Sequence, residues 1–421
     1  MVCVMAAGLT HPAPRSSPLT NESMIVMRTT VTASLMRSIN RTAILDLIRQ
    51  DGPIARSQIA RRLNTSLPTV MRIVDELIEE DLVRPLGSSE PTGGRPRSLL
   101  VFNGSAYAAV GVDLGGTKMF GTVADLAGNI QHEVYVPWED MDPGDNLEQL
   151  CALIEGLLDA PGPAGQRIRG IGVGVPGITL SPEGIITWAP SLSWRDLPLR
   201  EILIERFDVP VFVENDVNLA ALGELGFGAG RGVQDLVCIA VGTGIGAGII
   251  AGGVLYRGHS QAAGEIGYLL PGVEFLGRRH DQFGALESLA SGTGIARRAR
   301  QFLEQEGMPV PSEGLSAEDV FDAARRGEPW AQQVVDGTVD YLSLAIAGVS
   351  AMLDPEVIVL GGGVSRSADL LIEPILHRLE GVIPSIPRLV ASPLGRRAAV
   401  MGAIMLVLDA TTEYFMVRRL P

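Results

Sequence analysis

The chain contains 421 residues, of which 46% are hydrophobic, 19% are charged and 50 are glycine. This length and composition predict a globular α/β protein of two or three domains and exclude a fibrous or largely disordered chain. A formal net charge of −14 argues against a protein that coats nucleic acid along its whole surface.

Charge is distributed unevenly along the chain. Residues 1–105 contain 12 Arg and no Lys against 9 Asp and Glu, a net charge of +3, which leaves −17 for the remainder. Positive charge is therefore concentrated at the N-terminal end, as expected of a segment that binds nucleic acid. The cysteines are too far apart in the sequence to suggest a disulfide framework or a metal cluster; they are Cys3, Cys151 and Cys238.

Residues 1–27 are predicted to be a disordered tail or a start placed too early, because Met24 and Met27 are alternative initiators. The opening MVCVMAAGL has no basic leader, and no apolar run approaches about 18 residues. The sequence therefore predicts neither a signal peptide nor a membrane-spanning helix. We expect a cytoplasmic protein without a membrane partner.

Residues 28–105 are predicted to form a winged helix-turn-helix domain. Apolar residues at three- and four-residue steps in SLMRSINRTAILDLIRQ predict a first helix, which ends at DGP. ARSQIARRLN predicts a short second helix, closed by Asn64 because asparagine tolerates left-handed backbone. TSLPTVMRIVDELIEEDLV predicts a third helix, capped by the Ser66 hydroxyl.

The third helix is predicted to be the recognition helix. Its apolar stripe faces the core and turns Thr69, Met71 and Arg72 outward near the N-terminal end, the part that contacts base edges in the major groove. LVRPLGSSEPTGGRPRSLLVF predicts two strands around a wing loop whose arginines are suited to phosphate or the minor groove. The candidate DNA-binding residues are Ser66, Thr69, Met71, Arg72, Arg95 and Arg97. The alternative is a three-helix packing module whose arginines are only solvated.

Residues 106–421 are predicted to form a two-lobed ligand-binding domain, because four glycine-rich turns each follow a buried apolar strand. In DLGGTK, the glycines let main-chain N–H groups approach a phosphate, and the lysine is the single one in the chain. LVCIAVGTGIGAGIIAGGVLY repeats the same strand, glycine turn and strand, as two related halves around one nucleotide require. VIVLGGGVS adds three glycines between a strand and a helix. The candidate phosphate-binding residues are Gly115, Gly116, Thr117, Lys118, Gly242, Thr243, Gly244, Gly361 and Gly362.

Polar residues also follow the strand in VPVFVENDVNLAALGE. Asn215 and Asp216 lie between this strand and the next helix, where α/β proteins place ligand groups. Capping of that helix is the alternative role of Asp216, and one residue can serve both purposes. Further helical stretches are predicted for Phe283–Gln305 and Pro329–Met352.

From about Leu35 to Leu408 these motifs resemble the ROK family of repressors and sugar kinases, which has the actin-like ATPase fold. The resemblance implies that DLGGTK and GTGIG hold the phosphates of ATP and that Asp216 is the catalytic base of a kinase. A carboxylate near a sugar hydroxyl can accept its proton while Lys118, glycine N–H groups and Mg²⁺ offset phosphate charge. The implied sugar-binding residues are Ser191, Asn215, Asp216, Glu265, Tyr268 and Glu287.

The sugar pocket departs from that of the family's kinases at two places. The kinases have a histidine and a CxCGxxGCxE segment that hold a structural zinc, whereas Tyr268 and RRHDQFGALE stand here. A closed zinc site needs four ligands, which His280 alone cannot supply, so we predict no structural zinc and no other metal site. Ser191 replaces a sugar-binding asparagine, which leaves the identity of the sugar open.

The N-terminal extension matches the family's repressor branch, in which TVMRIVDELIEEDLV and GGRP have counterparts. We therefore expect a sugar-responsive transcriptional regulator, a repressor of carbohydrate-utilisation genes, that binds operator DNA as a homodimer or a dimer of dimers. No cofactor is required, although ATP and Mg²⁺ remain candidates. The alternatives are an ATP-dependent sugar kinase that also binds DNA, and a DNA-binding protein whose large domain only dimerises; activation instead of repression is also open.

Overall fold

A computed structural model describes residues 33–86, 98–116, 118–137, 143–160, 167–278, 284–311 and 314–411. The described ranges form a winged helix-turn-helix followed by two α/β lobes. The predictions for residues 1–27, Arg95, Arg97, Thr117 and His280 lie outside the described residues.

The winged helix-turn-helix consists of three helices and a three-stranded antiparallel sheet. Its elements are α1 (Ala33–Asp51), β1 (Ile54–Ala55), α2 (Arg56–Arg62), α3 (Leu67–Glu79), β2 (Val83–Leu86) and β3 (Leu99–Phe102). The three predicted helices and both wing strands are confirmed. Sequence reasoning missed β1, which pairs with β3 and completes the sheet in the order β1-β3-β2.

Local signals set the boundary between α2 and α3. Asn64 has a φ of 48°, the left-handed conformation that separates the two helices. The Ser66 hydroxyl accepts a hydrogen bond of 3.3 Å from the Thr69 N–H, as predicted for a cap. One face of α3 is buried, and its buried residues are Val70, Ile73, Val74 and Leu77. The helix is therefore amphipathic, with its other face turned outward.

The first lobe is built on a five-stranded sheet. Its elements are β4 (Tyr107–Leu114), β5 (Lys118–Asp125), β6 (Ile130–Pro137), α4 (Pro143–Leu158), β7 (Arg167–Val175), β8 (Ile178–Leu180), β9 (Ile185–Ala189), β10 (Trp194–Leu197), α5 (Leu199–Phe207) and β11 (Val211–Asn215). The sheet order is β11-β7-β4-β5-β6, with β4, β7 and β11 parallel and β5 antiparallel to both neighbours. A smaller antiparallel sheet has the order β10-β9-β8.

The second lobe repeats this topology. The remaining elements are α6 (Asp216–Phe227), β12 (Leu236–Val241), β13 (Ile245–Ala251), β14 (Val254–Leu255), α7 (Glu287–Ala290), α8 (Gly292–Gln305), α9 (Ala317–Arg325), α10 (Pro329–Leu353), β15 (Val357–Gly361), α11 (Ile372–Leu379), β16 (Arg388–Ala391) and α12 (Ala398–Thr411). The order is β14-β13-β12-β15-β16, and β12, β15 and β16 are parallel while β13 is antiparallel to both neighbours. The glycine turns after β4 and β12 therefore take equivalent positions, as the sequence repeat predicts.

Two predicted helices are refined by the structure. The stretch Phe283–Gln305 contains α7 and α8, separated by Ser291, whose hydroxyl caps α8 by accepting a 3.1 Å hydrogen bond from the Gly294 N–H. The stretch Pro329–Met352 forms α10, which ends one residue later at Leu353.

Within the described residues, α10 is the one helix long and apolar enough to cross a membrane by length and composition. Its buried residues, Val334 and Ile346 among them, pack in the second-lobe core, which accounts for its composition.

Helices α6 and α12 connect the two lobes. α12 packs on β4 and β7, α6 packs on β12 and β13, and the two helices pack on each other. Their backbones approach closely at two glycines. A Cβ added at Gly402 would lie 1.7 Å from the Leu219 carbonyl oxygen, and one at Gly223 would lie 2.1 Å from the Ala398 carbonyl oxygen. Neither position can accept a side chain without moving the helices apart.

The hydrophobic core of the DNA-binding domain continues into the first lobe. Ile44 of α1 and Ile73 of α3 belong to one buried cluster with Ala109 and Ala124 of the first-lobe sheet and Ile404 of α12. Burial of shared apolar surface holds the winged helix-turn-helix against this lobe.

Candidate functional site

The outward face of α3 is the candidate DNA-reading surface. Leu67 and Met71 are 44% and 48% exposed. Arg72 is also exposed, and no hydrogen bond or ion pair joins it to another described residue. Thr69 is half-buried, with its hydroxyl 2.7 Å from the Ser66 hydroxyl. The structure thus places Ser66, Thr69, Met71 and Arg72 together on the first turns of α3.

Ion pairs hold α3 within its domain. Arg41 of α1 donates to Glu80 at 2.6 Å, just beyond the end of α3. Arg56 of α2 donates at 2.9 Å to the exposed Asp75 of α3. These arginines are engaged within the domain, whereas Arg72 remains available to DNA.

Asn215 lies at the turn from β11 into α6 and uses its whole amide within the protein. Its Oδ1 accepts hydrogen bonds of 2.9 and 3.0 Å from the N–H groups of Val217 and Asn218. Its Nδ2 donates at 3.1 Å to both the Gly177 carbonyl and Asp216 Oδ1. Asn215 is therefore the cap of α6, and the alternative cap role considered for Asp216 is wrong, because Asp216 is the first helical residue. Both donors and both acceptor positions of Asn215 are occupied.

Asp113 at the end of β4 and Asp216 interact electrostatically in the cleft. Burial, together with the Asp216 charge, raises the pKa of Asp113 to about 8, while Lys118 opposes the shift. Burial raises the pKa of Asp216 to about 6, against the hydrogen bonds that it accepts. Asp113 Oδ1 is buried, with no hydrogen-bond partner among the described residues. At pH 7 Asp113 is therefore mainly protonated and Asp216 mainly ionised, which is the state a base requires.

Glu265, Tyr268 and Glu287 form the second-lobe side of the cleft. Burial raises the pKa of Glu265, and the charges of Asp216 and Glu287 act in the same direction, so the carboxylates converge. Glu287 is fixed, because its Oε2 accepts a 3.2 Å hydrogen bond from the Ile245 N–H. No described residue donates a hydrogen bond to the Glu265 carboxylate. Tyr268 is 53% exposed at the rim.

The glycine turns of the two lobes meet across the cleft. A Cβ added at Gly116 would lie 3.6 Å from Ser191 Cβ and 3.9 Å from Thr243 Oγ1. One added at Gly244 would lie 3.1 Å from Glu287 Oε2. The predicted phosphate turns, Ser191 and the acidic cluster are therefore neighbours.

Gly362 and Lys118 are two further phosphate candidates, which lie beside the turns after β12 and β4. Gly362, which follows β15, has a φ of 76°, and a Cβ there would lie 2.3 Å from the Val241 carbonyl oxygen at the end of β12. Glycine is therefore required where these two strands end. Lys118 begins β5, with its ammonium 5.8 Å from the centroid of the Tyr135 ring.

Sequence reasoning missed an ion pair beside the acidic cluster. Glu214, whose side chain is 1% exposed, accepts a 2.7 Å hydrogen bond from Arg257 Nε. Its other oxygen accepts from the Asn215 N–H at 2.9 Å. Arg257 follows β14, so the pair joins the end of β11 to the second lobe. Glu214 is visible in the ENDVN motif, but nothing in the sequence connects it with Arg257. Asp113, the first residue of the DLGGTK motif, was likewise not predicted as a site residue.

The zinc positions of the family kinases can be followed in part. Tyr268, Arg278 and Ala285 stand at three of these positions and offer neither thiolate nor imidazole. In the part of the chain that the structure describes, no group of three or more His, Cys, Asp or Glu side chains is arranged to hold a metal ion. His280 lies outside that part, and the lack of zinc stays a prediction.

Comparison with known proteins identifies both parts of the chain. The ROK family matches residues 109–410, and a winged helix-turn-helix DNA-binding family matches residues 37–84. The xylose repressor of Caldicellulosiruptor bescii is 29% identical over 390 residues, which cover 89% of this chain and 97% of the repressor. The glucokinase of Halalkalibacterium halodurans is 36% identical over 312 residues, which cover 71% of this chain and 94% of the kinase.

Solved structures agree with this assignment. A ROK family transcriptional regulator, homologous to the E. coli MLC protein, has a TM-score of 0.79 and 27% identity, with 90% of this chain and 98% of that chain covered. A ROK family glucokinase from Streptomyces griseus, in complex with glucose and AMPPNP, has a TM-score of 0.62 and 30% identity, with 71% of this chain and 98% of that chain covered. The fold is thus the predicted two-lobed sugar-kinase fold, preceded by a winged helix-turn-helix. The chain belongs to the ROK family, as a transcriptional regulator with a DNA-binding domain fused to a sugar-kinase-like domain.

Proposed function

We propose that this protein is a transcriptional repressor whose affinity for operator DNA changes when a sugar binds between its lobes. The observation that carries the proposal is the presence, in one chain, of an exposed recognition helix and a cleft in which Asp216, Glu265 and Glu287 converge. Carboxylates accept hydrogen bonds from hydroxyl groups, which makes such a cleft suited to a sugar. Repressor and kinase relatives that are named for xylose and glucose support the same ligand class. The protein would act on carbohydrate-utilisation genes in the cytoplasm, where operator DNA and sugar meet.

Each cleft residue has a role in this proposal. Asp216 and Glu265 accept hydrogen bonds from sugar hydroxyls, and Glu287 does so from a position set by β13. Tyr268 and Ser191 complete the pocket at its rim. Asn215, whose amide is fully bonded, contributes by holding Asp216 Oδ1. A direct sugar contact from Asn215 would require the loss of one of its present hydrogen bonds.

On the DNA side, Met71 and Arg72 reach base edges, and the hydroxyls of Ser66 and Thr69 lie near the backbone at the start of α3. Arg95 and Arg97 of the wing loop contact phosphate or the minor groove. A homodimer, or a dimer of dimers, presents two copies of α3 about one helical turn apart on a two-fold operator.

Closure of the lobes around the sugar is the proposed signal. α12 shares a buried core with the winged helix-turn-helix, so a change between the lobes reaches the DNA-binding domain. To change operator occupancy, the sugar must bind one lobe arrangement more tightly than the other by a few kcal/mol.

Sugar phosphorylation is a second candidate function, favoured by the ionisation state of Asp216. The turns at Gly116 and Gly244 carry no side chains, which leaves room for the phosphates of ATP with Mg²⁺. Bound ATP with Mg²⁺ supplies the phosphoryl group and offsets its charge. Asp216 accepts the proton of the sugar hydroxyl, since its pKa of about 6 leaves it ionised at pH 7. The residues that would hold the nucleotide are Gly115, Gly116, Thr117, Lys118, Gly242, Thr243, Gly244, Gly361 and Gly362.

The first test is fluorescence anisotropy on the DNA upstream of the protein's own gene, at physiological salt. Hexoses, pentoses and acetylated amino sugars are titrated singly, each with and without ATP. One sugar that shifts operator affinity identifies the effector. DNA binding that no sugar alters would overturn the sensor mechanism.

ATP consumption with the same sugars separates the second candidate from the first. Turnover that depends on one sugar and disappears in Asp216→Asn establishes phosphorylation. No sugar-dependent turnover removes it.

A further inference from the structure

Arg49, near the end of α1, lies where the DNA-binding domain meets both of the helices that connect the lobes. Its guanidinium is 5.6 Å from the centroid of the Phe227 ring, at the end of α6. The charges of Asp46 on α1, Asp409 on α12 and Arg231 in the loop after α6 all act on it. We call this set, Arg49 with Asp46, Phe227, Arg231 and Asp409, the Arg49 junction.

The contacts of α1 with the two connecting helices differ in kind. With α12 the contact is a packed apolar core, in which Ile44 and Ile48 lie in one cluster with Ile404 and Val407. Towards the end of α6, the contact found is the ring of Phe227 beneath the Arg49 guanidinium. The attraction between a cation and an aromatic ring acts over several ångströms and needs no close fit, so the Arg49 guanidinium can follow a displaced Phe227 ring, whereas the interdigitated apolar contact with α12 stays fixed.

A small cavity lies beside the junction. Its volume is about 20 Å³, the size of one water molecule, and it is lined by Arg49, Asp409 and apolar residues of the DNA-binding domain, the first lobe and α12. Asp409 Oδ1 is buried and has no hydrogen-bond partner among the described residues. A buried acceptor without a donor costs free energy, so a displacement that brings a donor to Asp409 would be favourable.

The geometry of α6 and α12 indicates how the junction moves. The helices touch backbone to backbone where Gly223 faces Ala398 and Gly402 faces Leu219. α12 packs on first-lobe strands and α6 on second-lobe strands, so rotation of one lobe against the other turns the helices about this contact. Phe227 ends α6 and lies beyond the contact, where a rotation produces a displacement.

We propose that Arg49 is the positioning residue that couples the sugar cleft to the DNA-binding domain, by transmitting movement of Phe227 at the end of α6 to α1. The first-lobe side of α1 stays fixed on α12, and displacement of Phe227 pulls or releases the other side. α1 carries Arg41, which is ion-paired with Glu80 beyond the end of α3, so a tilt of α1 reaches the recognition helix. This inference rests on the proposed function, because it requires that a sugar alters operator affinity.

Arg49→Met tests the coupling, since methionine keeps an unbranched stem and removes the cation. Operator affinity is measured by anisotropy with and without the effector sugar, and sugar affinity is measured by calorimetry. We expect the factor by which sugar changes operator affinity to fall at least about fivefold, the lower end of typical coupling between sites. Sugar affinity and sugar-free operator affinity should each stay within about threefold of wild type, well under the coupling loss.

Two further variants make the outcome decisive. Phe227→Leu removes the ring and should reduce the sugar-induced factor as Arg49→Met does, with no further loss in the double variant. Arg325→Met is the matched control: this arginine is paired with Asp369 at 2.8 Å on the second-lobe surface and should leave the factor unchanged.

Three results would count against the inference. An unchanged sugar-induced factor in Arg49→Met and Phe227→Leu overturns it. Equal losses of operator affinity with and without sugar assign Arg49 a structural role only, and overturn it as well. A wild-type protein that binds operator DNA but responds to no sugar removes the proposed function itself, a result visible before any variant is made.

Discussion

The Tyr107 hydroxyl donates a 2.9 Å hydrogen bond to the main-chain carbonyl of Glu80, the residue that follows α3. Tyr107 begins β4, the central strand of the first lobe, so the end of the recognition helix is tied directly to the sugar-binding part of the chain. Arg167 strengthens the tie, with its guanidinium 4.9 Å from the Tyr107 ring centroid and a 3.3 Å contact to Asp81. The C-terminal end of the recognition helix is thus anchored on the first lobe.

Tyr107→Phe tests this tie, because it removes the hydroxyl and keeps the ring. We expect a loss of about 1 to 2 kcal/mol in the free energy of unfolding, measured by urea denaturation, because the hydroxyl donates to the Glu80 carbonyl and accepts a 3.2 Å hydrogen bond from Arg167. Tyr256→Phe is the control, since this tyrosine is 54% exposed and should change nothing measurable. Equal stability of the two variants would mean that the Glu80 carbonyl finds another donor at no cost.

Arg72→Ala should weaken specific operator binding by about 1 to 3 kcal/mol, the range for a side chain that reads a base edge. Because Arg72 is exposed and bonded to no described residue, the melting temperature of the Arg72→Ala protein should remain close to that of wild type. Anisotropy on operator and unrelated DNA distinguishes loss of base reading from loss of phosphate attraction. Arg366→Ala, in the exposed part of the second lobe, serves as the control. An unchanged ratio of specific to unspecific affinity in Arg72→Ala would place the DNA face elsewhere.

Glu265→Gln should weaken sugar binding about tenfold, the lower end for a hydrogen bond to a charged group. No described residue bonds the Glu265 carboxylate, so the fold should not depend on it, and sugar-free operator affinity should be retained. Calorimetry measures the sugar affinity. Glu274→Gln, an exposed glutamate on the nearby turn Val273–Phe275, is the matched control. Retained sugar affinity in Glu265→Gln would exclude this carboxylate from the pocket.

Asp409→Asn should make the protein more stable than wild type above neutral pH. Burial and the Asp46 charge raise the pKa of Asp409 to about 7, while Arg49 opposes the shift. Between about pH 4 and pH 7 the folded state keeps a proton that the unfolded state has released. The free energy of unfolding of wild type therefore falls as pH rises across this window, and the loss is complete above pH 7.

The melting temperature of Asp409→Asn relative to wild type should therefore rise from pH 5 to pH 8, by about 1 °C per kcal/mol gained for a chain of this length. The exposed Asp159 gives the control variant Asp159→Asn, whose difference from wild type should be the same at both pH values. A pH-independent difference for Asp409→Asn would show that the carboxyl is not buried in the folded protein.

Gly402→Ala should destabilise the protein by about 1 to 3 kcal/mol, the usual cost of overpacking, because the added Cβ would overlap the Leu219 carbonyl. Gly348→Ala is the control: this glycine lies on α10 with nothing within 4 Å of an added Cβ. There alanine should stabilise the helix by about 1 kcal/mol. Urea denaturation of both variants checks the opposite signs. Equal effects would mean that α6 and α12 do not touch at Gly402.

Features that arise from neighbouring residues could be predicted from the sequence. Asn64 closes α2 and Ser66 caps α3 because turn and cap preferences depend on the residue's own backbone and side chain. The glycine turns after β4 and β12 follow from apolar strands that are interrupted by glycine. The internal repeat could be seen because both halves retain that pattern.

Features that depend on residues far apart in the sequence could not be predicted. β1 is two residues long and exists only through its pairing with β3. Asn215 and Asp216 are both favourable cap residues, and only the hydrogen bonds to Val217 and Asn218 decide between them. The pairing of Glu214 with Arg257 joins different lobes, and a single sequence contains no pattern that links such positions.

The sharing of one core between α1, α3 and α12 has a consequence for how the protein is made. The DNA-binding domain is synthesised before the two lobes, yet Ile404 and Val407, which complete its buried cluster, emerge from the ribosome only after the sheets of both lobes. Domains at the start of a chain usually fold while the rest is still being translated. Here the cluster that positions the operator-reading helix is completed only when α12 has been synthesised, so the DNA-binding domain takes its final packing after the sugar-binding lobes have been made.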